Sequence, residues 1–369
     1  VASAGRLGSR RKNNRFKGLI LGSGGEIPTF FETLKVLFFN DPPFFLAHGG
    51  MQTQTEALMR ELAGLGVEVE PVRWWEENQK GDIIHYLLRP PILNVRAAHG
   101  KGIKVVMSEN LGQPASRSRV QLFSQRCLTR LARGLLPGGL TARLGWDDYQ
   151  ELDAMIYVVE HEWETAKYLF QANSERGHII PHGLEADALA QLGRPQAPGD
   201  YLVCMATINP GKNPVLLAQA AGLAGVPMVF LGKPYTEDDP YFQEFKQCVD
   251  GKVVRHVGHV AGEEKNAWLR GARGFVLLSR YESGCIAIYE AAAAGLPLLL
   301  SDLPWATKVY GNVPAAKFVG LGRPETIARA LREFYGQARR QLIPTFPMLT
   351  WRQVAEKYLE VYQKVLNQP

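Results

Sequence analysis

The chain has 369 residues, 46% hydrophobic and 21% charged, which is enough apolar material for about two full-sized cores and too little charge for an unfolded polymer. Its net charge of +6 is accounted for by Arg6, Arg10, Arg11, Lys12, Arg15 and Lys17, so the remainder balances and offers no basic face for nucleic acid. No apolar run reaches the ~18 residues of a membrane span, because the best candidate, 286–300, is interrupted by Glu290, Gly295 and Pro297. Residues 1–34 read as a basic, flexible N-terminal segment that could touch an anionic membrane surface. The cysteines Cys127, Cys204, Cys248 and Cys285 form no CxxC pair. That argues against zinc and a disulfide framework, and it fits a reducing cytoplasmic setting or the inner face of a membrane.

In chain order, KVLFFN at 35–40 predicts a buried strand, ended by Asp41-Pro42-Pro43. Leu58, Met59 and Leu62 predict a helix over 52–63, stopped by Gly64 and Gly66. Further strands are expected at 67–72, 82–87, 104–107 and 154–159, with a helix at 162–170. Strands separated by helices imply parallel β-α-β units in a doubly wound sheet. The rhythm restarts after Pro195, Pro198 and Gly199. Strands follow at 201–206, 228–231, 253–257, 274–278 and 297–300, and helices at 214–222, 267–272 and 287–294. Two α/β domains are therefore expected, 35–195 and 196–348, facing a cleft. In the last helix, 351–366, Val354, Tyr358, Val361, Tyr362 and Val365 share one broad packing face.

The segment 279–290, SRYESGCIAIYE, joins a buried strand to an Ala-rich helix. Ser283, Gly284 and Cys285 sit where the first helical N–H groups lack partners, a natural anion site. Glu282 and Glu290 flank it and could accept hydrogen bonds from sugar hydroxyls; the alternative is a surface corner with two solvated glutamates. In 206–213, ATINPGKN, Lys212 projects from a turn before a helix that Asn213 would cap, a position that suits an anion. An ordinary exposed lysine is the alternative. His48-Gly49-Gly50 offers free amides at close approach, or a plain turn. Gly22-Ser23-Gly24-Gly25 begins a dinucleotide-like run, but Ile27 and Pro28 spoil the pattern. Asp147-Asp148 and Asp238-Asp239 read as solvated loop carboxylates without a third metal ligand. The histidines show no metal or triad spacing.

At 282–290 the chain resembles the E-x7-E signature of GT4-type retaining GT-B glycosyltransferases. The likeness extends over about 35–366: DIIH at 82–85, IIPHGL at 179–184, Gly258-His259-Val260, and AAAAGLPLLLSDLP at 291–304. It implies a GT-B fold of two Rossmann-like doubly wound parallel-sheet domains facing a central cleft, with 349–369 crossing back to the first. It also implies transfer of a sugar from a nucleotide-diphosphate sugar, with retention and without a metal or other cofactor. The acceptor would be a glycan, a lipid-linked sugar or a small molecule. By resemblance, Glu290 binds ribose hydroxyls and Glu282 binds the transferred sugar. The amides of Gly284, Cys285 and Ile286 hold the diphosphate, Lys212 neutralises it, Gly50 closes over it, and Ser283, Gly49 and Thr207 join the donor-binding set. His259 lies on the nucleobase side. The family often has Arg where this chain has Thr207, an aromatic-glycine pair in place of Gly284-Cys285, and an acceptor-side histidine near Glu109-Asn110. Thr207 and Asn110 motivate an alternative, a degenerate GT-B protein that binds nucleotide sugar without turnover. A third reading, an NAD-type oxidoreductase, would rest on 22–25. The arginines of 112–145 suit an anionic or lipid-linked acceptor, or mark a solvated helix face.

Overall fold

The computed structural model describes residues 33–41, 43–46, 49–138, 140, 148–197, 199–338 and 348–368. The basic 1–17 stretch, the glycine run at 22–25 and His48 lie outside the described residues. Among the described residues the first sheet has six parallel strands. They are β1 (Lys35–Asn40), β2 (Glu68–Pro71), β3 (Ile83–Leu87), β4 (Lys104–Ser108), β5 (Ala154–Tyr157) and β6 (Gly177–Ile179), in the order β2-β1-β3-β4-β5-β6. After β7 (Gly183–Leu184) comes a second six-stranded sheet. Its strands are β8 (Leu202–Met205), β9 (Met228–Leu231), β10 (Val254–Gly258), β11 (Gly274–Leu277), β12 (Leu298–Ser301) and β13 (Ala316–Val319), in the order β10-β9-β8-β11-β12-β13. Strands such as Leu202–Met205 and Leu298–Ser301 are short apolar runs because helices cover both of their faces.

Each sheet reverses its strand order once, between β1 and β3 and between β8 and β11. At such a reversal the connections leave in opposite directions, opening a crevice beyond the carboxyl ends of the strands. Both reversals are used by the site described below.

The chain ends by returning to the first sheet. The strand β14 (Leu349–Thr350) pairs in parallel with β7, and Thr350 caps the helix Trp351–Leu366 in a capping box with Gln353. That helix buries Trp351, Val354, Tyr358, Val361, Tyr362 and Val365 against Val36, Phe38, Leu58 and Ile83. Buried His85 ties the two together, its ring nitrogens 2.6 Å from the Tyr362 hydroxyl and 2.8 Å from Ser108 Oγ. Burial holds its imidazole down to about 3.

Three local expectations are corrected. The helix expected at 267–272 spans Gly262–Gly271, because its first turn is charged and carries no apolar periodicity. Asp148 is buried in a short helix, Asp148–Glu151, 3.9 Å from Arg89, and is no loop carboxylate. Asp239 caps the helix Pro240–Gln247 by accepting from Tyr241 N at 2.9 Å.

Candidate functional site

The two crevices open onto one cleft of about 710 Å³. The turn after β1 brings Gly49 and Gly50, the residues just after β4 are Glu109 and Asn110, and the turn after β8 brings Thr207 and Lys212. The connection after β10 supplies His259. The turn after β11 supplies Glu282, Ser283, Gly284, Cys285 and Ile286, with Glu290 one turn into the helix Ile286–Ala293. All of these residues line the same space. The lobes approach closely here: a Cβ built on Gly50 would lie 3.7 Å from Ile286 Cδ1, and one on Gly49 4.0 Å from Thr207 Oγ1. Gly49 adopts φ 148° and ψ −161°, a conformation essentially reserved for glycine, and this lets its backbone sit at the cleft.

Two lysine–carboxylate pairs dominate the charge pattern. Lys212 Nζ donates to both Glu282 oxygens at 2.6 Å, and the Ser279 hydroxyl donates to the same carboxylate at 2.5 Å. Burial works against the Lys212 charge, but the adjacent Glu282 carboxylate outweighs it and holds the ammonium above its ordinary value. Lys212 is placed by its own turn, where its N–H is received by Asn209 Oδ1 at 3.0 Å. Asn213 does stand at the helix N-cap, but in a left-handed conformation and without a side-chain cap bond. The other pair is Lys265 with Glu290, joined by a hydrogen bond from the ammonium.

The helix Ile286–Ala293 starts from Cys285 as its N-cap residue with no side-chain cap bond. The first turn of this helix opens at the edge of the cleft, where helical N–H groups have no intrahelical partner. Burial near Glu282 pushes the Cys285 thiol up to about 12, which excludes a thiolate nucleophile at neutral pH.

Glu109, expected on the acceptor side, lines the cleft and is held by its own lobe. Its carboxylate receives the Tyr149 hydroxyl on one oxygen and the Asn110 N–H, at 3.0 Å, on the other. Both oxygens are thus engaged by the first lobe itself, and burial raises the carboxyl above its usual range.

Four cleft-region groups escape the sequence reading. Lys265 and Lys233 line the cleft but sit outside any motif, although the helix beginning at Gly262 would have presented Lys265. His182 also lines it; its Nδ1 is buried without a hydrogen-bond partner among the described residues, and burial holds the ring down to about 4. Glu162 stands in the helix Glu160–Phe170 and reaches the cleft-lining Ser283, accepting from Leu111 N at 2.9 Å and from the Ser283 hydroxyl at 2.7 Å. This is a direct tie between the lobes. Burial, helped by Glu109, raises the Glu162 carboxyl to about 8, against the pull of its two donors.

Two doubly wound parallel sheets facing one crevice define the GT-B fold, and solved structures agree. Sucrose-phosphate synthase from Thermosynechococcus elongatus aligns with a TM-score of 0.63 at 15% identity, covering 90% of this chain and 99% of that one. HepE from Anabaena, in complex with UDP and glucose, aligns with a TM-score of 0.60 at 13% identity, covering 90% and 98%.

Residues 193–342 match the family Glycosyl transferases group 1. The chain is 25% identical over 269 residues to a D-inositol 3-phosphate glycosyltransferase of Jonesia denitrificans, an alignment spanning 64% of this chain and 62% of that protein. It is 29% identical over 118 residues to the O-antigen chain mannosyltransferase B of Escherichia coli, spanning 30% and 31%. The chain thus spans less than two thirds of the length of these curated relatives.

Proposed function

We propose that this protein is a glycosyltransferase that moves a sugar from a nucleotide-diphosphate sugar to an acceptor hydroxyl, with retention at the anomeric carbon and no metal in the donor site. The observation that carries the reading is the convergence of Lys212, Glu282, Glu290 and the start of the helix Ile286–Ala293 on one inter-lobe cleft. Residues 196–348 form the donor domain, 35–195 the acceptor domain, and 349–369 the strap that joins them. The group 1 match and the glycosyltransferase names of the relatives support this assignment.

Departure of the nucleoside diphosphate builds negative charge on its β-phosphate. The Lys212 ammonium and the amides of Gly284, Cys285 and Ile286 are aimed at that charge, the kind of preorganised electrostatics that dominates such sites. Glu290, steadied by Lys265, accepts the ribose hydroxyls, and Glu282 accepts hydroxyls of the transferred sugar. Both carboxylates are given to binding substrate hydroxyls and Cys285 is a neutral thiol, so this reading assigns no covalent nucleophile. The acceptor hydroxyl attacks from the face the phosphate leaves, passing its proton to a phosphate oxygen as the C–O bond forms.

The test is a panel of UDP-, GDP- and ADP-sugars, scored for binding by thermal shift and for nucleotide release with and without candidate acceptors. At least one donor is expected to raise the melting temperature and to be turned over. Failure of every donor to bind overturns the assignment of the cleft.

A further inference from the structure

We propose that the helix Arg119–Leu135 seats this protein on an anionic lipid bilayer, a role independent of the reading of the cleft. The helix is amphipathic in the reverse of the usual sense. Its inward side is mainly polar or charged: Thr129 is buried, Gln125 receives a hydrogen bond from Arg117, and the Arg126 guanidinium lies 4.3 Å from the Tyr168 ring centroid. Its outward side carries Val120, Phe123, Leu128, Leu131 and Leu135, each at least 59% exposed. At 3.6 residues per turn these positions, with exposed Cys127, fall on one continuous stripe, and exposed Leu136 and Leu140 extend it past the helix end. A water-soluble helix of this sequence would gain by turning over. That it is held apolar side out, with a capping box at Ser118 and polar contacts beneath, leaves a contiguous apolar surface uncovered among the described residues.

The charges identify the partner. Residues 111–138 contain Arg117, Arg119, Arg126, Arg130 and Arg133 and no Asp or Glu. Arg119 and Arg130 are exposed beside the stripe. In a symmetric dimer a patch meets its own copy, so a second copy of this chain would bring arginines against arginines with no acid to pair them. An anionic bilayer satisfies both halves of the pattern: the leucines and phenylalanine enter the acyl boundary and the arginines meet headgroup phosphates. The position of the helix suits this. Gly112, just upstream, lies beside Glu282, where an added Cβ would be 3.4 Å from the Glu282 carbonyl carbon. The segment leading into the helix therefore abuts the candidate donor site.

The experiment is flotation of the full chain with vesicles of phosphatidylcholine alone or of phosphatidylcholine mixed with phosphatidylglycerol. The wild-type protein is expected to float with the anionic vesicles and far less with neutral ones, in a salt-sensitive manner. The double substitution Phe123→Glu and Leu131→Glu, at exposed positions, should reduce that binding by about tenfold or more while leaving the melting temperature and solution nucleotide release unchanged. Arg119→Gln with Arg130→Gln should weaken binding to anionic vesicles only. Absence of vesicle binding by the wild-type protein, or equal binding by the glutamate variant, overturns the proposal. So does a wild-type dimer that the glutamate variant dissolves into monomers, since a second copy would then be what covers the stripe.

Discussion

Lys212 and Glu290 each face the cleft beside an oppositely charged neighbour, and that neighbour determines what a substitution does. On the proposed function, removing the Lys212 ammonium deletes a charge aimed at the leaving phosphate; in any case it strands Glu282, a nearly buried carboxylate. Removing Glu290 deletes what the proposed function makes the ribose acceptor and leaves Lys265, which is more exposed, free to hydrate. Both Lys212→Ala and Glu290→Ala should lower kcat/KM for donor consumption by ~10²-fold, the scale of a lost charge-assisted contact in a closed site. Only Lys212→Ala should also lower the melting temperature appreciably. Steady-state nucleotide release and thermal melts on both variants separate the two effects; wild-type kinetics in both would place the donor elsewhere. Thr207 lacks the positive charge common at its position in the resembling family, while Lys233, in the turn after β9, lines the same cleft. No local pattern around Lys233 announces this, because its relevance depends on β9 lying next to β8 in the sheet.

The turn between β11 and the helix Ile286–Ala293 shows how an element of one lobe is fitted to the other. Gly284 has φ +52°, and a Cβ there would run into Val158, at the carboxyl end of the first lobe's β5. Gly284→Ala should therefore lower the melting temperature and weaken donor binding. Adding Val158→Ala should restore part of the loss, since it removes the collision but not the backbone strain. Thermal shift with and without nucleotide sugar reads both, and no difference between the single and double variants would mean the lobes do not meet there. Such fits across the cleft are invisible to sequence, whereas the strand rhythm is not. Parallel strands covered on both faces, such as Met228–Leu231 and Gly274–Leu277, must be short apolar runs, so period and composition reveal them. The terminal helix is equally plain, from its stripe of Val354, Tyr358, Val361 and Val365. The first turn of Gly262–Gly271 is not, because Glu263 and Glu264 face water and carry no periodic signal. Asp148 misleads in the other direction: Asp-Asp in polar sequence reads as a solvated loop, yet Tyr149 beside it is fully buried and draws the segment inward. For the candidate site, glycines, lysine and glutamates at strand ends were legible. Glu162 and His182 were not, since both come from the first lobe to meet a turn about a hundred residues or more away.

Across the whole molecule, the Glu162–Ser283 bond joins the lobes through a carboxyl whose ionisation costs more in the folded protein than in the unfolded chain. Its value is about 8 when folded against an ordinary 4.5. Between these limits the native state holds a proton that the unfolded chain has released. Stability from this group is therefore fully present below pH 4.5 and is lost as pH rises toward 8. Buried Glu109, also raised, adds in the same direction. The buried histidines act oppositely: His85 and His182 are depressed from 6.5 to about 3 and about 4, so they favour folding as pH rises to 6.5 and then fall silent. Above pH 6.5 the slope belongs to the carboxyls, and the melting temperature should fall from there to pH 8 by several degrees, equivalent to a few kcal/mol at most. Glu162→Gln keeps the shape and a polar partner for the Ser283 hydroxyl while removing the titration. It should flatten most of that decline and leave the acid-side rise from the histidines intact. Melting curves of the two proteins across this range decide the matter: parallel declines would show that the carboxylate is solvated in the folded protein, and the inter-lobe tie at Ser283 would then not be a buried one.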